Sequence, residues 1–321
     1  MNPAPKASII IPAYNAEKYI VATLESIVDQ SFTDWECIVI DDGSLDATAT
    51  IVDCFPDSRV KLIRQPNSGG PAGPRNIGLS AARGEYIFIF DSDDIMLANK
   101  IQASVQALDK YLDAALLFTN FEEIDESGAV IKEDFLIGEF DYFHQYVKYD
   151  SDPVYISSDC LFDCLVRNNF IGTSSVVLRK SKLLATDVFN EELKNSDDRL
   201  FWFTLAKRCN GVFIPKKYHQ YRKRGDSISG KGFIGRAESK IKALKMALLL
   251  CDVEQHKQCI RRQISRDYAT YSFALRRQSK LKMAAQAAIK SFIEVPNVPA
   301  LKHFLISVLS VFSVTKKRSI G

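Results

Sequence analysis

Asp91-Ser92-Asp93-Asp94 places three carboxylates within four residues, directly behind the apolar run 86–90. Charges of one sign crowded at a strand end repel unless a cation neutralises them, and a hard divalent ion shared with phosphate oxygens is a suitable partner. The competing reading is a solvated turn, or the cap of a helix beginning near Met96, because acidic residues favour helix N-termini. A second pair, Asp197-Asp198, follows Ser196 at the start of an apolar helix that contains Trp202. It can cap that helix or present a general base to a hydroxyl. Asp42, within Asp41-Asp42-Gly43-Ser44, can form a turn or accept a hydrogen bond from a base or ribose. The Gly-rich stretch 67–74, followed by Arg75-Asn76, can bring backbone N–H groups and a guanidinium to a diphosphate. Its spacing is that of neither a Walker loop nor a dinucleotide fingerprint.

Positioning these groups requires an alternation of strands and helices. Residues 7–11 form a β-branched run closed by Pro12, and residues 17–30 carry Tyr19, Ile20, Leu24 and Ile27 at helical spacing. Strands are predicted at 35–40, 60–63 and 86–90, with Asp46 placed to cap an intervening helix. Such alternation gives right-handed crossovers and a mainly parallel sheet with helices on both faces, whose ligands sit beyond the carboxyl ends of the strands. Three polar loops follow three of those ends: 12–15, 41–44 and 91–94. Between 114 and 223 the pattern is less regular, with strand-like 114–120 and 175–179 and helix-like 160–166 and 199–208. Beyond 235 it is helical, with Ile241, Leu244 and Leu248 at helical intervals.

The 321 residues exceed one typical domain, and a composition 46% hydrophobic and 25% charged excludes disordered and collagen-like classes. Charge is divided unevenly. Residues 1–230 carry 24 basic and 34 acidic side chains, a net −10, whereas 231–321 carry 18 against 5, a net +13. The seven scattered cysteines form no framework or paired metal motif, which points to a reduced, cytoplasmic protein. The start of the chain lacks a signal-peptide pattern, and no run reaches the roughly 18–20 apolar residues of a span. His144, His219, His256 and His303 are too dispersed for a metal set.

The order Ser8-Ile9-Ile10-Ile11-Pro12-Ala13-Tyr14-Asn15-Ala16-Glu17, Gln30-Ser31-Phe32, Val39-Ile40-Asp41-Asp42-Gly43-Ser44, Arg75-Asn76-Ile77-Gly78-Leu79, Gly84-Glu85-Tyr86-Ile87 and Asp91-Ser92-Asp93-Asp94 resembles the family 2 glycosyltransferases of the GT-A fold. The resemblance is strong over 7–95, weaker to 230 and absent beyond. It implies an α/β fold, a Rossmann-like, mainly parallel sheet with flanking helices, plus a helical basic C-terminal region. It further implies a nucleotide site of Pro12, Ala13, Tyr14, Asn15, Asp42, Arg75 and Ser92. Asp91, Asp93 and Asp94 would hold Mn²⁺ or Mg²⁺ against the donor diphosphate. Asp197-Asp198 resembles the family's acidic pair; counting back from Trp202 favours Asp197 as base, and a one-residue slip favours Asp198. Thr173, Trp202 and Arg222 fall where the family meets acceptor or phosphate.

The expectation is therefore a catalytic domain over 1–230, with a nucleotide-binding half 1–110 and an acceptor half 111–230, followed by a helical region 231–321. The reaction expected is inverting transfer from a nucleotide sugar, most simply a UDP-sugar, to a glycan or lipid-linked acceptor of bacterial polysaccharide or glycolipid synthesis. A nucleotidyltransferase, or a non-catalytic nucleotide-sugar-binding or membrane scaffold, is the alternative. Leu301, Phe304, Leu305, Val308, Leu309 and Phe312, ahead of Lys316-Lys317-Arg318, can form a face for an anionic membrane surface on the inner side, or pack with their lysines in water. No nucleic-acid module is recognised.

Overall fold

In a computed structural model the described residues are 3–136, 141–146, 152–225, 233–296, 301 and 305–306. The chain divides into two compact units, Met1–Arg224 and Gly225–Gly321. The first unit contains, in chain order, β1 (Ala7–Ala13), α1 (Ile20–Val28), β2 (Trp35–Asp41), α2 (Thr48–Asp53), β3 (Val60–Arg64), α3 (Ala72–Ala81), β4 (Tyr86–Ile89), β5 (Ile95–Met96) and α4 (Lys100–Lys110). It continues through β6 (Ala114–Ile124), β7 (Val130–Lys132), α5 (Asp141–Tyr146), β8 (Val154–Ile156), α6 (Ser158–Arg167), β9 (Val177–Arg179), α7 (Asp197–Ala206) and β10 (Asn210–Arg222).

One sheet runs β3-β2-β1-β4-β9-β6-β10-β5. Its first four strands are parallel, as are β6 and β10, while β9 runs antiparallel to both β4 and β6. This mixed, mainly parallel sheet with flanking helices is the α/β architecture expected. The central strands are buried on both faces, which is why β1, β2 and β4 read as continuous apolar runs. Helix α1 buries Ile20, Leu24 and Ile27, each worth roughly 1.5–3 kcal/mol of transfer free energy. Behind the sheet, α3 lies so close that a Cβ at Gly78 would overlap Ile10 and come within 3.0 Å of Ile40 Cδ1.

Register aligns the three strand-end loops. Ala13 pairs with Asp41, and Ile10 with Ile89, so the chain leaves β1, β2 and β4 along one edge. The helix expected near Met96 starts instead at Lys100. Ile95 and Met96 pair with Gln220 and His219 of β10, because the turn after Asp94 is short enough to join the sheet. The long strand β10 escapes local pattern reading: Pro215 and Lys216-Lys217 interrupt its alternation where the register with β6 shifts between Ile214 and Lys217.

The second unit contains α8 (Phe233–Leu249), α9 (Glu254–Arg277) and α10 (Leu281–Glu294). Helix α9 buries Ile260, Ile264, Tyr268 and Leu275, while α10 contributes Ala284, Ala287 and Ala288. Ser265 Oγ donates to the Ser291 carbonyl at 2.8 Å and Ser272 Oγ to that of Ala284 at 2.7 Å, which sets α9 and α10 antiparallel. Of the apolar face expected before Lys316-Lys317-Arg318, the residues Phe304, Val308, Leu309 and Phe312 and the basic triplet itself lie outside the described residues. Among the described residues no helix is long and apolar enough to cross a membrane.

Candidate active site

Strand β1 ends on half-buried Pro12 and buried Ala13, and the loop after it carries exposed Tyr14 and Asn15. Asn15 has φ +50°, a conformation Asn tolerates better than most residues, and its Oδ1 accepts from the Leu45 N–H at 2.8 Å. The loop after β2 is thereby clamped to the loop after β1. Asp42 is 4% exposed, and its carboxylate accepts from the Ser68 N–H at 2.9 Å, from Ser68 Oγ at 3.0 Å and from Gln65 Nε2. A base reaching Asp42 must compete with these donors. Gly43, at φ +70°, leaves the backbone N of Asn67 only 2.8 Å from where a Cβ would stand, so this approach requires glycine.

The centre of the site is Arg75 on α3. One guanidinium nitrogen lies 3.0 Å from Asp91 Oδ1 and the other 2.8 Å from Asp197 Oδ2, joining positions 122 residues apart. Burial alone would favour a neutral side chain, but Asp197, Asp91 and Asp198 outweigh it and hold the guanidinium charged. Asp197 is 2% exposed, and burial pushes its carboxyl up to about 6, opposed by Arg75 and reinforced by Asp198. Asp198 is half-buried and accepts from Thr173 Oγ1 at 3.0 Å. The residue favoured by counting back from Trp202 is thus tied up in an ion pair, while its neighbour keeps the more open position.

The three carboxylates of the β4 loop have different surroundings. Asp91 keeps a side chain 28% exposed and gives one oxygen to Arg75. Asp93 Oδ2 lies 2.9 Å from Arg224 Nε, and burial raises its carboxyl to about 6 against the attraction of Arg224. Asp94 is fully buried: Ser174 Oγ donates to it at 2.5 Å and the Arg222 N–H at 2.8 Å. Burial, then Asp93 and Asp91, raise its carboxyl well above the ordinary range. The expectation that Asp94 offers an oxygen to a cation is therefore not met; it braces the turn from behind. Ser92 lends its carbonyl to Thr23 Oγ1 at 3.1 Å. Among the described residues no group of three or more His, Cys, Asp or Glu side chains could hold a metal. Asp91 and Asp93 each still have one oxygen that is not used by an arginine. That fits a cation taking one or two carboxylate oxygens and completing its shell with substrate phosphates and water.

Two acceptor-side expectations are corrected. Trp202 is fully buried, packing edge-on against Phe189 and Phe201, so it is core rather than a cleft residue. Arg222 is 7% exposed and donates to the carbonyls of Asp93, Asp125 and Glu126, which makes it a brace between β10 and the β4 loop. Sequence reasoning missed Gln65 and Ser68 as the holders of Asp42, and Ser174, whose Oγ also accepts from the Asp91 N–H at 3.0 Å. Arg224 lies with Arg222 over the Tyr19 ring, 4.9 and 5.2 Å from its centroid.

Comparison with known proteins bears on the family and the fold. The profile of glycosyl transferase family 2 matches residues 8–164. Glycosyltransferase GlyG of Streptococcus pneumoniae is 33% identical over 236 residues, covering 69% of this chain and 72% of the relative. The Escherichia coli UDP-Glc:alpha-D-GlcNAc-diphosphoundecaprenol beta-1,3-glucosyltransferase WfgD is 32% identical over 231 residues, covering 70% and 80%. Among solved structures, residues 1–349 of Staphylococcus aureus TarS in complex with UDP-GlcNAc superpose with a TM-score of 0.68 at 22% identity, covering 91% of this chain and 82% of that one. The Pyrobaculum calidifontis mannosyltransferase PcManGT, in complex with GDP-Man and Mn²⁺, gives 0.55 at 16% identity, covering 98% and 81%.

Proposed function

The chain belongs to glycosyl transferase family 2, and from that premise we propose that it transfers a sugar from a UDP-sugar to a hydroxyl of a glycan or lipid-linked acceptor in bacterial polysaccharide synthesis, with inversion at the anomeric carbon. One observation carries the reading: Arg75 draws the β4 loop and the start of α7 together, so the carboxylates of that loop and the acidic pair 197–198 lie about one guanidinium. Pro12, Ala13, Tyr14 and Asn15 flank the base, with Asp42 organising the loop beneath it. Asp91 and Asp93 are the residues that would hold Mn²⁺ or Mg²⁺, whose charge stabilises the departing nucleoside diphosphate.

Asp198 is the general base in this reading. It accepts one hydrogen bond from Thr173, which aims the carboxylate, and it keeps an oxygen for the acceptor hydroxyl. Asp197 holds Arg75 instead. Proton removal by Asp198 and attack on the face opposite the diphosphate make one displacement, hence inversion. The basic second unit and a membrane-linked acceptor suit a protein working at the inner membrane surface.

Calorimetric titration of the full chain with UDP, GDP, UDP-Glc and UDP-GlcNAc, in Mn²⁺ and then EDTA, tests the donor half. Binding of uridine nucleotides that weakens in EDTA and in Asp93→Ala is expected; absence of any uridine-nucleotide binding overturns it. Asp198→Asn should lower turnover by about 10²–10⁴ with donor affinity unchanged. Full turnover in that variant puts the base elsewhere.

A further inference from the structure

A cleft of about 390 Å³ lies within the second unit, among α8, α9 and α10, within the size range of small-molecule sites. Its walls are largely apolar: Ile241 and Tyr268 are buried, while Leu249 at the end of α8 is 84% exposed. Its charged groups are mostly of one sign. Lys245 Nζ lies 5.3 Å and Lys290 Nζ 5.8 Å from the centroid of the Tyr268 ring, and Lys242 stands on the same wall. The lining carboxylate, Glu238, is engaged by the Tyr271 hydroxyl. Glu294 reaches Lys245 at 3.6 Å, and Lys245 and Lys290 are both exposed.

Two ammonium groups gather at one aromatic ring with Glu294 within ion-pair reach of only Lys245, and an aliphatic wall left in water gains nothing from solvent. A ligand that relieves both must carry an anion at one end and a hydrocarbon chain at the other. Charge complementarity extends beyond the cleft, since residues 225–321 carry 18 basic against 6 acidic side chains. An acidic peptide would answer the charge but not the depth of the apolar wall. A phosphate on a lipid chain answers both, because burying its methylenes against the apolar wall is favourable and the phosphate pairs with the lysines.

We propose that this cleft is a binding site for a phosphate-bearing lipid, with the phosphate at Lys245 and Lys290 and the chain along Ile241, Met246 and Leu249. The site belongs to the helical unit and is independent of the donor reading.

The test is calorimetry on the full chain with decyl phosphate below its micellar concentration, with decyl glucoside and inorganic phosphate as the two halves of the ligand. One decyl phosphate should bind per chain, at least ~10-fold more tightly than either half. Lys245→Gln/Lys290→Gln should weaken it by ~10-fold or more, and Leu249→Ser several-fold; all three side chains are exposed, so these variants keep the fold. Uridine-nucleotide binding on the same samples should not change, so the outcome is separable from that of the donor test. Three results overturn the proposal: decyl glucoside binding as well as decyl phosphate, inorganic phosphate binding as tightly as decyl phosphate, or undiminished decyl phosphate binding in the double lysine variant. Failure of decyl phosphate to bind wild type overturns it equally.

Discussion

Arg75→Met removes a charge on which two loops depend. In the Arg75–Asp197 pair the side chains are 6% and 2% exposed at 2.8 Å, so deleting the guanidinium strands a carboxylate that water cannot reach. Breaking so buried a pair from one side costs roughly 3–5 kcal/mol. Asp91, 28% exposed, is rehydrated and adds little. The pH dependence separates this mechanism from a simple packing defect. In the wild type the Asp197 carboxyl is raised from 3.8 to about 6, by burial and despite Arg75. The folded state therefore binds the extra proton between those values, and stability from this group falls with rising pH over that window and is level above it. Without Arg75 the folded value climbs above 6 and the window extends upward. Between pH 6.5 and 8 the variant should lose up to about 1.4 kcal/mol per pH unit while the wild type shows no slope from this group. Urea unfolding followed by tryptophan fluorescence reads this directly, because both tryptophans, Trp35 and Trp202, are buried in the first unit. Adding Asp197→Asn to Arg75→Met should flatten the profile. A variant within 1 kcal/mol of wild type and parallel to it from pH 6.5 to 8 would refute the reasoning.

Two further perturbations probe the scaffold. Glu36 is buried, which alone would raise its carboxyl, but bonds from Lys61, Arg83 and Ser8 bring it from 4.5 down to about 2. Its contribution is complete above pH 4.5 and is lost as pH falls through 2, so Glu36→Gln, its half-exposed cationic partners being screened by water, should be less stable by about 1–3 kcal/mol at pH 7 and converge with wild type near pH 2 in denaturant melts. Gly78→Ala drives a methyl into Ile10 and Ile40 and should cost about 1–3 kcal/mol by overpacking, read in the same fluorescence experiment, with the helical content of the second unit unchanged.

The parallel half of the fold and the three strand-end loops were legible because each depends on local pattern. An apolar run stops, a polar loop begins, and register then brings the ends together, as Ala13 with Asp41 and Ile10 with Ile89. Pairings over long separations were not legible. Nothing near Asp197 marks it as the partner of Arg75, and nothing near Asp94 marks Ser174, 80 residues away, as its donor. Burial of charge misleads in the same way. Lys100 opens α4 as an ordinary helix residue, yet it is fully buried with Nζ 3.4 Å from Thr119 Oγ1, and burial brings its amine down to about 7. The Asp91-Ser92-Asp93-Asp94 motif supplies residue types, but only packing shows that its last carboxylate faces inward.

The backbone of the site carries the cost of this arrangement. Asn15 at φ +50°, Gly43 at +70°, Gly69 at +78° and Ser196 at +64° stand in the loops that bring the candidate residues together. A left-handed conformation is strained for a non-glycine residue and persists only where surrounding contacts over-determine it. Those contacts are present: Asn15 is held by Leu45 and Ser44, and Gly69 donates to Asn67 Oδ1 at 2.8 Å. Ser196 directly precedes Asp197, whose link to Arg75 anchors the start of α7. The same guanidinium therefore neutralises a buried carboxylate, fixes a strained helix start and tethers the β4 loop.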